Sequence, residues 1–267
     1  MKFNIIKKYN GTAISSKELL KTETADYYVS RFNHLEFKNK IIIFIVTYHH
    51  LDAIESCMSC VMDLLEVNPD VYVVVLDNNS DKKIQTYLKS LKHARLDLNF
   101  INKNIGKALA VNNYGQKYIN KNNLPKAVVS IDPDIIFKID DFNRMIEAVT
   151  NIKKVGMLGM RYKKNNCNPE MNLFFPSRSY KGINNKRYKI KKPFMCTVAG
   201  PIFAVNSYVY FTELKNRLFP KKFIATYGGD DSATYSALRW KYLNGYLENT
   251  EVIHLRSGKK VAEELLG

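Results

Sequence analysis

From about residue 40 the chain alternates short, wholly apolar runs with longer stretches whose apolar residues recur every three or four positions. Residues 41–46 are apolar and, with Thr47, rich in β-branched side chains, which predicts a strand over 41–47 buried on both faces. Ile54, Cys57, Met58, Val61, Leu64 and Leu65 then recur at helical intervals, predicting an amphipathic helix over 54–65. The same reasoning gives strands at 71–76, 98–101 and 127–131. Helices are expected at 83–91, where Ser80 or Asp81 can cap the start, and at 106–119. Further on it predicts a helix at 141–152, a strand at 155–162, a polar loop over 163–194, apolar segments over 197–205, a helix at 232–243 and a strand at 247–255.

Doubly apolar strands alternating with helices predict an α/β protein with a mainly parallel central sheet flanked by helices. Residues 1–38 carry no strong period, although 16–32 could form a helix. They read as an N-terminal extension to a single domain over 39–267, with halves at 39–137 and 138–267. In open α/β sheets the ligand site lies beyond the carboxyl ends of the strands. Those ends are Thr47 and Tyr48, Asp77 and Asn78, then Asp132 and Asp134.

No run approaches the roughly 20 apolar residues needed to cross a bilayer. Residues 1–10 lack the apolar stretch of a secretory leader, so a cytoplasmic location is expected. The formal net charge of +16 admits nucleic acid, an anionic membrane or a phosphate-bearing substrate as partner. The excess is uneven, because residues 171–212 hold no acidic side chain while Arg178, Lys181, Lys186, Arg187, Lys189, Lys191 and Lys192 concentrate there. That segment is either a solvated loop or a surface for anionic lipid or a phosphorylated acceptor, at the inner face of the membrane. Tyr180, Tyr188 and Phe194 interleave too loosely for a nucleic-acid motif, and nucleic acid is not expected as a partner. Cys57 and Cys60 fall on or beside the apolar helix face and pair with no second close doublet; with Cys167 and Cys196 they read as packing residues.

The chemistry is concentrated where the strand at 127–131 runs directly into Asp132-Pro133-Asp134. Extended backbone puts residues i and i+2 on the same side, so both carboxylates can face one cation or one ribose. Two adjacent carboxylates repel unless compensated, and Mg²⁺ or Mn²⁺ accepts carboxylate and diphosphate oxygens together. By itself such a pair is equally a turn or a helix cap.

The ordered set formed by residues 43–48, Leu76-Asp77-Asn78-Asn79-Ser80, residues 104–112 and Ile131-Asp132-Pro133-Asp134 resembles family 2 glycosyltransferases with the GT-A fold, over residues 40–255. The resemblance implies that Thr47, Tyr48, Asp77 and Asn78 cradle the nucleotide of the donor. Asn78 stands where many members have a second aspartate. Gly106 and Lys107 would open a helix packed under the nucleotide, where a helix N-terminus and a cation suit a phosphate. Asp134 would be the main metal ligand and Asp132 would be divided between ribose and cation. His254 would complete the metal shell, with Arg256, Lys259 and Lys260 following it. Gly200, in a segment resembling the one that lines the sugar pocket, would let the sugar approach closely.

In Tyr227-Gly228-Gly229-Asp230-Asp231 the resemblance makes Asp231 the general base and Asp230 the residue orienting acceptor or donor, although the two could exchange roles. Carboxylates opening a helix could equally serve as caps. The implied activity is inverting, divalent-metal-dependent sugar transfer to an acceptor hydroxyl in bacterial surface glycan or glycoconjugate synthesis. The expected donor is a nucleotide-diphosphate sugar, a UDP-sugar first, with dTDP- and GDP-sugars as alternatives. The acceptors the resemblance admits are a saccharide, a lipid-linked saccharide or a protein. Rival readings are a nucleotidyltransferase, which lacks a glycine-rich triphosphate loop here, and a catalytically silent basic binding module.

Overall fold

The computed structural model describes residues 37–119, 122–163, 175–193, 198, 201–220 and 230–255. The expected helix at 16–32, Cys167, Cys196, Gly200 and residues 221–229 lie outside the described residues, as do Arg256, Lys259 and Lys260.

The alternation seen in the sequence becomes β1 (Ile41–Thr47), α1 (Leu51–Val67), β2 (Val71–Asp77), α2 (Lys82–Ser90), β3 (Leu96–Phe100), α3 (Lys107–Tyr118) and β4 (Ala127–Ile131). The strands lie parallel in the order β3-β2-β1-β4. Short α-helical crossovers between strands produce this arrangement. Asp81 caps α2 by accepting from the amide of Ile84 at 3.0 Å.

The second half is β5 (Ile135–Phe137), α4 (Ile139–Asn151), β6 (Val155–Tyr162), β7 (Arg178–Lys181), β8 (Arg187–Lys191), β9 (Ile202–Asn206), α5 (Asp230–Leu238) and β10 (Leu243–His254). The sheet continues β4-β9-β6-β10-β8-β7, with β5 paired to β10. The α/β class stands. The parallel run ends at β4, because β9 inserts antiparallel between β4 and β6. The polar stretch expected to be a loop contains β7 and β8, whose basic side chains alternate with the buried Tyr188 and Ile190. The last helix ends at Leu238, and Leu243 instead begins β10 in register with Val155.

Two apolar layers hold the sheet. Ile41, Ile43 and Ile45 of β1 face α1, α2 and α4 on one side, while Ile42, Phe44 and Val46 face α3 on the other. Each fully buried aliphatic side chain contributes about 1.5–3 kcal/mol. Cys57, inside the first layer, has its thiol pushed well up by burial, and Cys60 is half-buried and packs against that layer. Both act as packing residues in the described structure.

Candidate active site

Parallel packing aligns the carboxyl ends of β1, β2 and β4, with Thr47 opposite Asp77 and Ile45 opposite Ile131. On the other side of β9, β6 ends at Tyr162 and β10 at His254, delivered to the same edge.

At the β1–β2 end, Asp77 is 1% exposed. Its carboxylate accepts from the Thr47 hydroxyl at 3.1 Å, the Ser80 amide at 3.2 Å and Gln85 Nε2 at 3.0 Å. Asn78 donates from its backbone to the Thr47 carbonyl and from Nδ2 to Asn104 Oδ1 at 2.6 Å, while its Oδ1 accepts from the Ile105 amide. These bonds clamp the loop before α3 against the end of β2. Gly106 follows at φ 79°, a conformation glycine adopts without strain, and Lys107 opens the helix. Tyr48 is partly exposed, and after it His49 and His50 both take positive φ, an uncommon backbone for non-glycine residues. The Ser80 hydroxyl is buried with no hydrogen-bond partner among the described residues.

The β4 end is held differently. Lys107 reaches across from α3 to Asp132 at 2.5 Å, and its ammonium also lies 5.5 Å from the centre of the Phe219 ring. Asn112 fixes that ring's backbone, donating to the Phe219 carbonyl at 2.6 Å and accepting from its amide at 3.1 Å. Beyond Pro133, β5 pairs with β10 so that Ile135 lies opposite His254, and the Leu255 amide donates to the Asp134 carbonyl at 2.9 Å. That register sets His254 Nε2 2.9 Å from Asp134 Oδ2. The Tyr162 ring stacks on the imidazole at 5.2 Å and 24°.

Electrostatics tie these groups together. Burial raises the Asp132 carboxyl, opposed by Lys107, with Asp134 adding to the rise. Burial alone would lower His254, but the hydrogen bond and charge of Asp134, with the charge of Asp132, leave it raised. The Tyr162 hydroxyl is pushed far above the phenol range by burial, then by the charges of Asp132 and Asp231. Asp231 is thus close enough for its charge to act on the Tyr162 hydroxyl, and its Oδ1 accepts from the Ser232 amide at 2.9 Å. Asp230 opens α5, and its side chain lies outside the described residues.

The described residues thus gather Thr47, Asp77, Asn78, Gly106, Lys107, Asp132, Asp134, His254 and Asp231 along one edge. Three metal-ligating side chains do not converge on one point among the described residues, because Asp132 is turned to Lys107. Asp134 and His254 are adjacent oxygen and imidazole donors, a pair that fits Mn²⁺ or Mg²⁺ with diphosphate and water completing the shell. Tyr162, Gln85 and the Asn112–Phe219 clamp were not singled out by sequence reasoning. Tyr162 ends a predicted strand and could have been found by extending the strand-end rule past the fourth strand. Gln85 and Asn112 sit on helices and carry no such signal.

The model of the family described as Glycosyl transferase family 2 matches residues 42–210. No curated protein matches the chain by sequence. Similar solved structures include the mannosyltransferase PcManGT from Pyrobaculum calidifontis in complex with GDP-Man and Mn²⁺, at 15% identity and TM-score 0.56, covering 90% of this chain and 62% of that one. Residues 1–349 of S. aureus TarS align at 15% identity and TM-score 0.57, covering 84% of this chain and 62% of that one. GalNAc-T7 with UDP, GalNAc and Mn²⁺ aligns at 13% and 0.58, covering 84% and 45%. At these identities the likeness is one of fold, and the chain spans about three fifths or less of the length of each.

Proposed function

The chain belongs to glycosyl transferase family 2 and has the family's GT-A fold, and from that premise we propose that it transfers a sugar, with inversion, from a nucleotide-diphosphate donor to an acceptor hydroxyl. The observation that carries this reading is the meeting of Asp134 and His254 at 2.9 Å, beside Asp132, Lys107 and Tyr162, at the carboxyl edge of the sheet.

In this reading residues 39–137 form the donor half and residues 138–267 the acceptor half. Asp77 holds Thr47, Ser80 and Gln85 in place, and Asn78 fixes the loop carrying Gly106, so that the strand ends form a rigid seat for base and ribose. The unpaired Ser80 hydroxyl supports a polar ligand there, because a buried hydroxyl left without a partner costs about 1–3 kcal/mol. Lys107, at a helix N-terminus, shifts between Asp132 and a donor phosphate.

Asp134 and His254 would hold a divalent cation, Mn²⁺ or Mg²⁺, which when bound supplies Lewis-acid stabilisation of the leaving diphosphate. Asp231 takes the acceptor proton as the hydroxyl attacks, and no covalent enzyme intermediate is needed. Asp230 orients acceptor or donor, and Gly200 admits the sugar. A UDP-sugar is the first candidate donor, with dTDP- and GDP-sugars next. The acceptor is a saccharide, lipid-linked saccharide or protein hydroxyl in bacterial glycan synthesis, and the enzyme is cytoplasmic and peripheral at an anionic membrane.

The test is incubation with a panel of nucleotide-sugars and Mn²⁺, measuring released nucleoside diphosphate with and without chelator. Release from one donor class that chelation suppresses is expected. Absence of cation-dependent binding or release with every donor would sink the proposal.

A further inference from the structure

The opposite edge of the sheet, where β1, β2, β4, β6 and β10 begin, has a different character. The three most exposed large apolar side chains among the described residues are Trp240 at 84%, Tyr208 at 64% and Ile183 at 63%. All three lie at this edge. Trp240 lies three residues before the start of β10, and Tyr208 lies two residues past the end of β9, whose Asn206 is opposite Ala127. Ile183 tips the β7–β8 hairpin and donates its amide to the carbonyl of Asn151, at the end of α4, at 2.9 Å.

At the same edge, just before β6, stand Lys153 and Lys154, exposed and without an acidic partner among the described residues. Lys154 shares a shallow cavity with Tyr208, and Arg239 lies 4.7 Å over the Trp240 ring. Two carboxylates near this edge are neutralised, Glu147 by Lys186 at 2.5 Å and Glu213 by Lys241 at 3.0 Å.

Isolated surface apolar residues need no explanation, but two exposed aromatics, an aliphatic tip and lysines without acidic partners on one edge do. Tryptophan and tyrosine partition to the headgroup level of a bilayer, aliphatic tips insert below it, and lysines bind anionic headgroups. A nucleic acid would use stacked planar groups, and Ile183 offers none. We propose that this edge, through Trp240, Tyr208, Ile183, Lys153 and Lys154, docks on an anionic lipid surface.

The inference rests on the peripheral location proposed above and is independent of the transfer chemistry. Its consequence is geometric. A seven-residue strand such as β1 rises about 3.3 Å per residue, so the docked enzyme holds its catalytic edge roughly 20 Å or more from the lipid, facing away. The acceptor hydroxyl is then one displayed beyond the headgroups.

Trp240 is the only tryptophan of the chain, which makes its emission a reporter of the docking edge in the full-length protein. Titration with phosphatidylcholine vesicles containing about one third phosphatidylglycerol should blue-shift that emission, and bromine-labelled acyl chains should quench it. Pure phosphatidylcholine should do neither. Lys153→Gln with Lys154→Gln should weaken vesicle affinity about 30-fold, at about 1 kcal/mol per lysine, and Ile183→Ser should weaken it further without changing transfer to a soluble acceptor.

An emission that ignores lipid charge, or the double variant binding vesicles as the parent does, overturns the proposal. So does a blue shift that grows with protein concentration in lipid-free buffer and accompanies a dimer on size exclusion, since a second copy would then own this edge. A vesicle-bound protein inactive with every donor leaves docking standing and removes only the transferase reading.

Discussion

Asp77 and Asp132 end the two strands that flank β1, yet their surroundings differ in kind. Asp77 is buried among neutral donors, the Thr47 hydroxyl, the Ser80 amide and the Gln85 amide, two of them within eight residues of it in sequence. Asp132 and Asp134 are held by groups that carry or can carry positive charge, Lys107 from α3 and His254 from β10. Neutral hydrogen bonds fix a shape and have nothing to exchange. Pairings with a lysine and a histidine can be given up when a cation and a diphosphate arrive. On the function proposed above, the first cluster would build the seat and the second would perform the exchange, so substitutions in them should fail in different assays.

The largest effect expected is from Asp134→Ala, which should lower turnover about 10³-fold or more by removing a charge-stabilising contact, while the unfolding midpoint falls only by the contribution of its pair with His254. Cation-dependent nucleotide binding by calorimetry should vanish with it. If that binding survives, Asp134 is not the ligand. Asp231→Asn should cost about 10²–10⁴ in turnover, the usual contribution of a general base, and should spare donor binding. Near-normal turnover would move the base to Asp230.

Asp77→Ala should reverse that signature. Leaving the partners of a buried carboxylate unsatisfied costs about 3 kcal/mol, visible in denaturant unfolding, and donor affinity should fall only as the seat loosens. A stable Asp77→Ala protein that has lost nucleotide binding would instead make Asp77 a direct contact. Thr47→Val removes one of those donors and should cost about 1 kcal/mol.

The pH dependence separates the clusters more gently. The raised value of His254 means the folded state holds the imidazole proton more tightly than the unfolded chain, whose ordinary value is 6.5. Without cation, the His254–Asp134 pair should stabilise fully below about pH 6.5 and lose that contribution as pH rises through the raised folded value. A cation held by His254 would displace the proton, so Mn²⁺ affinity should strengthen over the same interval. Melting curves in chelator for the parent and His254→Gln should converge as pH rises, and parallel curves across the range would discard the pair.

The first half of the fold was legible because β1, β2 and β4 are buried on both faces and separated by complete amphipathic helices. Periodicity of that kind is local and survives without knowledge of the fold. Residues 127–131 and 155–162 coincide with β4 and β6 for the same reason. The β7–β8 ribbon was missed because charge dominated the reading of 163–194, although Arg187-Tyr188-Lys189-Ile190-Lys191 alternates as a half-buried strand must. The three-residue β5 leaves too short a period to detect.

By itself, then, the sequence determined the strands buried on both faces and that the carboxyl ends of β1, β2 and β4 carry Thr47, Asp77 and Asp132. Those properties depend on neighbours in the chain. Only the tertiary structure decided what each carboxylate meets. The antiparallel pairing of β5 with β10 brings His254 to Asp134 across more than 100 residues, α3 swings Lys107 onto Asp132, and β6 lays Tyr162 against the imidazole. Such meetings are set by strand register and helix packing between distant segments, for which the local spacing of residues holds no record.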